Sequence, residues 1–161
     1  MGKELKTNAM RFLDTKKIAY EVQAYQCDEF IDGVHVAEKL GQPLDETFKT
    51  IVAQGKSGSY YCFLLPVAEE LDLKKAAKSV GEKSVELLHV KDITKVTGYV
   101  RGGCTPIGMK KQFMTVVHSS AQELEKFYIS GGRIGMQIHL SPTELVNAIK
   151  GKFEPIILSQ T

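Results

Sequence analysis

With 161 residues, 43% hydrophobic and 25% charged, the chain has enough apolar material for one core and is expected to form a single domain over 1–161. A formal charge of +2 argues against nucleic-acid binding by bulk charge, while leaving room for a local basic patch. The three cysteines, Cys27, Cys62 and Cys104, form no CxxC and no Cys/His cluster, which argues against a disulfide framework or a zinc site. The expectation is a cytoplasmic protein with reduced thiols, needing no metal or cofactor. No stretch approaches a membrane span, and Met1 to Leu5 does not read as a signal peptide.

Leu5, Ala9, Phe12 and Leu13 recur at i, i+4, i+7 and i+8 and predict an amphipathic helix. Ile18 to Tyr25 alternates in part and reads as a strand, and Asp32-Gly33 reads as a turn. Val34 to Leu40 is a short helix stopped by Gly41, and Pro43 opens a second one with Asp45 and Glu46 in its first turn. Phe48 to Ala53 is an apolar strand, 55–59 a hairpin connection and Tyr60 to Leu65 the return strand. Asp72 caps a helix with an apolar face of Leu73, Ala76, Ala77 and Val80, ended by Gly81. Val85 to Leu88 fits helix or strand and is assigned to helix. Asp92 to Val96 adds a helical turn.

Met114 to His118 is a strand by β-branched content. Ser120 to Glu123 matches a capping box and predicts a short helix. Phe127 to Ser130 and Ile134 to Leu140 flank a glycine-rich turn. Ser141-Pro142-Thr143-Glu144 starts a helix ended by Gly151, and Phe153 to Leu158 is a last strand. Helices and strands are interspersed, but the strands come as hairpins. The expected fold class is therefore mixed α/β (α+β), a mixed sheet or barrel flanked by helices, and not a doubly wound parallel sheet.

Three segments could carry chemistry. Lys49, between Phe48 and Thr50 at the start of an apolar strand, either snorkels from a core edge or points into a site. Thr50 alternates to the other face, so both reach one pocket only if the chain bends. Gly102-Gly103 and Gly108 allow close backbone approach, and their N–H groups suit an anion or an oxyanion, although an ordinary loop fits equally. Cys104 has no His or Asp beside it in sequence and is not read as a nucleophile. Ser130, before Gly131-Gly132, either orients a substrate or serves only the turn. Tyr25 offers a pocket wall with a hydroxyl. Lys74, Lys75, Lys78, Lys110 and Lys111 read as solvated faces. Clustered with Arg101 and Arg133, they would suit a phosphate backbone.

Phe48-Lys49-Thr50, Pro66-Val67-Ala68, Leu71-Asp72-Leu73-Lys74-Lys75, the run Thr97 to Lys111 and Tyr128 to Arg133 follow one another in an order that resembles the YbaK/EbsC family, relatives of the prolyl-tRNA synthetase editing domain. The resemblance spans about Thr7 to Phe153. It implies an antiparallel barrel-like mixed sheet flanked by helices, and a trans-editing enzyme that removes cysteine from mischarged Cys-tRNA(Pro). Cysteine and proline are close in size, so packing alone rejects cysteine poorly. The family's site residues fall on Lys49, Gly102 and Gly103 as catalytic groups, and on Tyr25, Thr50, Ser130 and Gly131 as substrate-binding ones. Mischarged tRNA is the implied partner, with prolyl-tRNA synthetase as a further candidate. Two positions depart from the pattern. Asp32-Gly33 stands where a phenylalanine precedes the glycine, and Gln137 stands where an aspartate occurs; either would alter amino-acid specificity.

The resemblance, together with the absence of an evident base, implies cleavage assisted by the substrate's own thiol. Lys49 would hold the terminal ribose or phosphate, and glycine amides the oxyanion. The alternatives are an Ala- or Ser-specific deacylase using water, a tRNA- or synthetase-binding module without activity, and a small-molecule binding domain.

Overall fold

A computed structural model describes residues 6–25, 33–100, 103–109 and 111–158. Helix α1 (Asn8–Thr15) starts at Thr7, whose Oγ1 accepts the Met10 N–H, and buries Ala9, Met10 and Leu13. Lys17 adopts φ 58° and the Ile18 N–H bonds to Leu13 O, which turns the chain sharply. Strand β1 is therefore only Glu21–Ala24, shorter than the alternation from Ile18 suggests. Helix α2 (Gly33–Leu40) begins at the glycine expected in a turn; Asp32 lies outside the described residues. A Cβ on Gly33 would stand 2.5 Å from Val67 Cγ1, so the missing side chain lets α2 approach Val67.

Strands β2 (Phe48–Gly55) and β3 (Tyr60–Pro66) form the expected hairpin, with Thr50 opposite Leu64 and Val52 opposite Cys62. Helix α3 (Leu73–Ser79) is capped by Asp72, which accepts from the N–H groups of Lys74 and Lys75, a cap of about 1 kcal/mol. It buries Ala76 and Ala77, but Leu73 is exposed. Val85 to Leu87 is a strand, β4, not a helix. It pairs antiparallel with Ala53 to Gly55, and that tertiary ladder settles what the short run left ambiguous. Helix α4 (Val90–Thr97) ends at Gly98 with φ 86°.

Strand β5 (Met114–His118) is followed by the expected short helix, a 3-10 helix over Ser119–Glu123, but its N-cap is His118 and it has no side-chain cap, so the capping box does not form. Strands β6 (Phe127–Arg133) and β7 (Met136–Leu140) pair antiparallel, helix α5 (Pro142–Ile149) is capped by Ser141, and β8 (Lys152–Glu154) follows. The turn between β6 and β7 is Ile134–Gly135. Gly131 and Gly132 lie inside β6, at a register shift between Ser130 and Arg133. Gly132 takes φ 109°, so this is a glycine bulge, a device that re-aims neighbouring side chains. Thr7 Oγ1 donates to Gly131 O at 2.6 Å and ties the bulge to the start of α1.

The strands form two sheets in the orders β1-β7-β6 and β4-β2-β3-β5-β8. The architecture is mixed α+β as expected, but the barrel is not closed. The sheets meet at a parallel bridge between Thr47 and Tyr128, and β3–β5 and β5–β8 are parallel. The core between them includes Phe48, Leu64, Ile107, Phe127 and Ile138, with Phe48 and Phe127 edge-to-face at 5.1 Å. No helix among the described residues is long and apolar enough to cross a membrane.

His118 ties the C-terminal segment to β5. It is buried, and its Nδ1 accepts the Ile156 N–H at 3.2 Å, which requires the neutral ring. Burial lowers its pKa from the ordinary 6.5, against the opposing pull of Glu69. The folded chain thus resists protonation more than the unfolded chain does. Stability from this group is complete above about pH 6.5 and falls as pH drops below it. Denaturant melts between pH 7.5 and 5 should show that loss, and His118→Gln should flatten it. An unchanged slope in His118→Gln would remove His118 from this role.

Candidate active site

Strand β4 pairs with β2 only at Ala53 to Gly55, and the Leu88 N–H just beyond it bonds to Val52 O, so among the described strands none covers the edge from Phe48 to Ile51. A cavity of about 600 Å³ runs along that edge, within the range of small-molecule sites. Lys49 and Thr50 both line it although their side chains alternate. The bend expected from the sequence is unnecessary, because a cavity off the edge of a strand is reachable from both faces. Tyr25, at the exit of β1, and Ser130, on β6, line the same cavity. Four sequence-predicted residues from three separate segments are therefore brought together.

The glycines behave differently. Gly103 does not line the cavity, and its N–H donates to Val100 O at 2.9 Å. A Cβ there would lie 2.6 Å from Arg133 Cα, so this glycine packs the loop against β6. As folded, Gly103 has no amide to offer an oxyanion. Gly102 lies outside the described residues, as do Arg101 and Lys110. Gly131 also does not line the cavity; its carbonyl receives the Thr7 hydroxyl. Lys74, Lys75 and Lys78 sit on α3 and do not line it either, and Lys75 Nζ donates to Ile157 O.

Lys49 Nζ makes a long bond of 3.4 Å to Val67 O, which is not the residue's only interaction. Thr50 Oγ1 is buried without a hydrogen-bond partner among the described residues. Such a hydroxyl is costly unless something completes it. Cys104 forms part of the wall at 8% exposure, and burial pushes its thiol up to about 11. It stays protonated near neutral pH and is a poor nucleophile. Cys62, packed with it, is raised further by burial. Among the described residues no cluster of His, Cys, Asp or Glu is arranged to hold a metal.

The sequence missed three contributors. His35 on α2 lines the cavity, as does Val67. Gln42, in the Gly41-Gln42-Pro43 connection, donates from Nε2 to Gln137 Oε1 at 2.6 Å. No local signal marks Gln42, since a glutamine beside proline reads as a solvated loop residue. Only the meeting of the two sheets buries it to 7% exposure.

The pattern of the aminoacyl-tRNA editing domain family matches residues 32–148. A protein of Enterococcus faecalis (strain ATCC 700802 / V583), named "Putative Cys-tRNA(Pro)/Cys-tRNA(Cys) deacylase EbsC", is 43% identical over 152 residues, covering 94% of this chain and 93% of that one. Two crystal structures share the fold at low identity. "Hypothetical protein APE2540" superposes with a TM-score of 0.86 at 22% identity, over 94% of this chain and 99% of the other. "A putative trans-editing enzyme for prolyl tRNA synthetase" gives 0.83 at 21%, over 97% and 100%. The family match, the identity over nearly the whole chain and the shared fold agree: this chain belongs to the aminoacyl-tRNA editing domain family.

Proposed function

We propose that the chain is a trans-editing aminoacyl-tRNA deacylase that removes cysteine from mischarged Cys-tRNA(Pro). The observation that carries this reading is the convergence of Lys49, Thr50, Tyr25 and Ser130 on one cavity, in a chain of an editing family. The name of the Enterococcus faecalis relative supports cysteine as the amino acid. A cavity of about 600 Å³ has room for an aminoacyl group together with the terminal ribose.

The chemistry uses the substrate's own thiol. Cysteine sulfur attacks its ester carbonyl, the C–S bond forms, and the ester C–O bond breaks. The thiol proton passes to the departing ribose oxygen. Intramolecular attack needs no second nucleophile to be captured and oriented, an advantage set against the strain of the four-membered thiolactone that forms. Holding the geometry falls to Lys49 on the ribose or phosphate oxygens, and to Tyr25, Thr50 and Ser130 around the aminoacyl group. Cys104, with its raised thiol pKa, serves as wall. Mischarged tRNA is the partner, and prolyl-tRNA synthetase is the candidate second partner, supplying the substrate.

The test is deacylation of Cys-, Ser- and Ala-tRNA(Pro), with and without prolyl-tRNA synthetase. The cysteinyl ester should turn over at least about tenfold faster than the other two. Equal rates on all three would exclude thiol assistance and favour a water-using deacylase. A gel shift with uncharged tRNA but no hydrolysis would favour a binding module.

A further inference from the structure

The polar end of the cavity is built from hydrogen-bond donors on the β6–β7 pair. Ser130 and Gln137 are directly opposite each other in the register, so their side chains leave the sheet on the same face, and both line the cavity. Ser130 Oγ accepts the Gly132 N–H at 3.3 Å, which leaves the hydroxyl proton for the cavity. Gln137 is 7% exposed, and its Oε1 is occupied by Gln42 Nε2 at 2.6 Å. Gln42 is steadied in turn. Its Nε2 also faces Gln23 Oε1 at 3.4 Å, and its Oε1 lies 3.3 Å from the Thr47 hydroxyl, itself 2.9 Å from Pro43 O. With its oxygen used, the free end of Gln137 is the N–H₂, which has no partner among the described residues. The Gly103 amide, spent on Val100 O, is not open to serve as such a donor.

We propose that Gln137 Nε2 donates to the carbonyl oxygen of the aminoacyl ester as it becomes an oxyanion, and that Gln42 is the positioning residue that fixes the carboxamide in that sense. The inference rests on the deacylase reading. Attack on the carbonyl carbon moves the C=O electron pair onto oxygen, and collapse returns it as the ester bond breaks. Gln137 forms no covalent bond; its N–H strengthens as charge develops. A carboxamide locked before reaction needs no reorganisation, which is where such donors gain most of their effect.

The experiment measures single-turnover deacylation of Cys-tRNA(Pro) by the full chain as enzyme concentration is varied, for Gln137→Glu, Gln137→Met, Gln42→Met and Gln137→Met with Gln42→Met. Gln137→Glu keeps the size and the bond from Gln42 but replaces the donor by an acceptor. Gln137→Met removes the amide at similar volume, so the two variants check each other's folding, read by thermal melts. In both, the saturating rate constant should fall on the order of a hundredfold, with the half-saturating concentration changed less than about twofold. Gln42→Met should cost about tenfold in the wild-type background and less than about twofold once Gln137 is Met, because it acts through that residue. The losses should be equal on Ser- and Ala-tRNA(Pro) to the extent that the wild type cleaves them, since the ester is common to all three.

Gln137→Glu within about threefold of wild type, a change confined to half-saturation, or a Gln42→Met loss that persists in the Gln137→Met background would each overturn the proposal. A wild-type chain inactive on every aminoacyl-tRNA would instead overturn the deacylase reading beneath it.

Discussion

Lys49→Ala is expected to lower kcat/KM on Cys-tRNA(Pro) by about ten- to hundredfold, most of it in KM. Lys49 is half-buried at the uncovered edge of β2 and lines the cavity that Tyr25 and Ser130 also line. Its proposed partners are ribose or phosphate oxygens, and a charge-assisted bond to such a group is worth more than a neutral one. That contact exists with and without reaction, so its loss weakens binding before it slows chemistry. Lys49→Arg should not restore activity, since the planar fork is larger and directs its donors differently. The fold should survive, because the bond to Val67 O is long and the backbone pairing of Lys49 with Leu65 is untouched. Full activity in a folded Lys49→Ala protein would take the lysine out of the site.

Gly103→Val is expected to cost about 3 kcal/mol of stability, an overpacking penalty, and to lower the melting temperature by about 6–12 °C. The Cβ would meet Arg133 Cα at 2.6 Å, Arg133 C at 2.8 Å and Ile134 N at 3.0 Å, all backbone of β6 and its turn. Backbone cannot swing aside as the end of a lysine would, so the loop or the strand must move. The measurement separates two roles. If Gly103 is a packing glycine, activity per folded molecule at low temperature remains within a few-fold of wild type. A large rate loss without a change in melting temperature would return Gly103 to the chemistry.

Several elements were legible from residues alone. The β2–β3 hairpin, α3 behind Asp72 and α5 behind Ser141 follow from hydrophobic period and capping chemistry, which act within a few residues. Where short-range signals were weak or shared, partners elsewhere decided. Val85 to Leu87 became a strand because the edge of β2 was available to it. The glycine pair at 131–132 became a bulge because the Thr7 side chain and β7 pack against it. Asp32 and Gly102 lie outside the described residues.

The same division holds at the site. Residue order was enough to select Lys49, Thr50, Tyr25 and Ser130, because the family pattern is carried by type and spacing. Whether an amide or a carboxamide is free to donate was beyond it. A hydrogen bond is spent or left open according to what the fold brings within about 3 Å, and no local pattern encodes that distance. Val100 O takes the Gly103 N–H, and Gln42, 95 positions away in the chain, takes the oxygen of Gln137. By itself the sequence determined the family, the fold class and the lysine at the cavity. Tertiary packing alone decided which polar groups reach the cavity unspent, because satisfaction of a buried donor depends on neighbours that are distant in sequence and adjacent only once the two sheets have met.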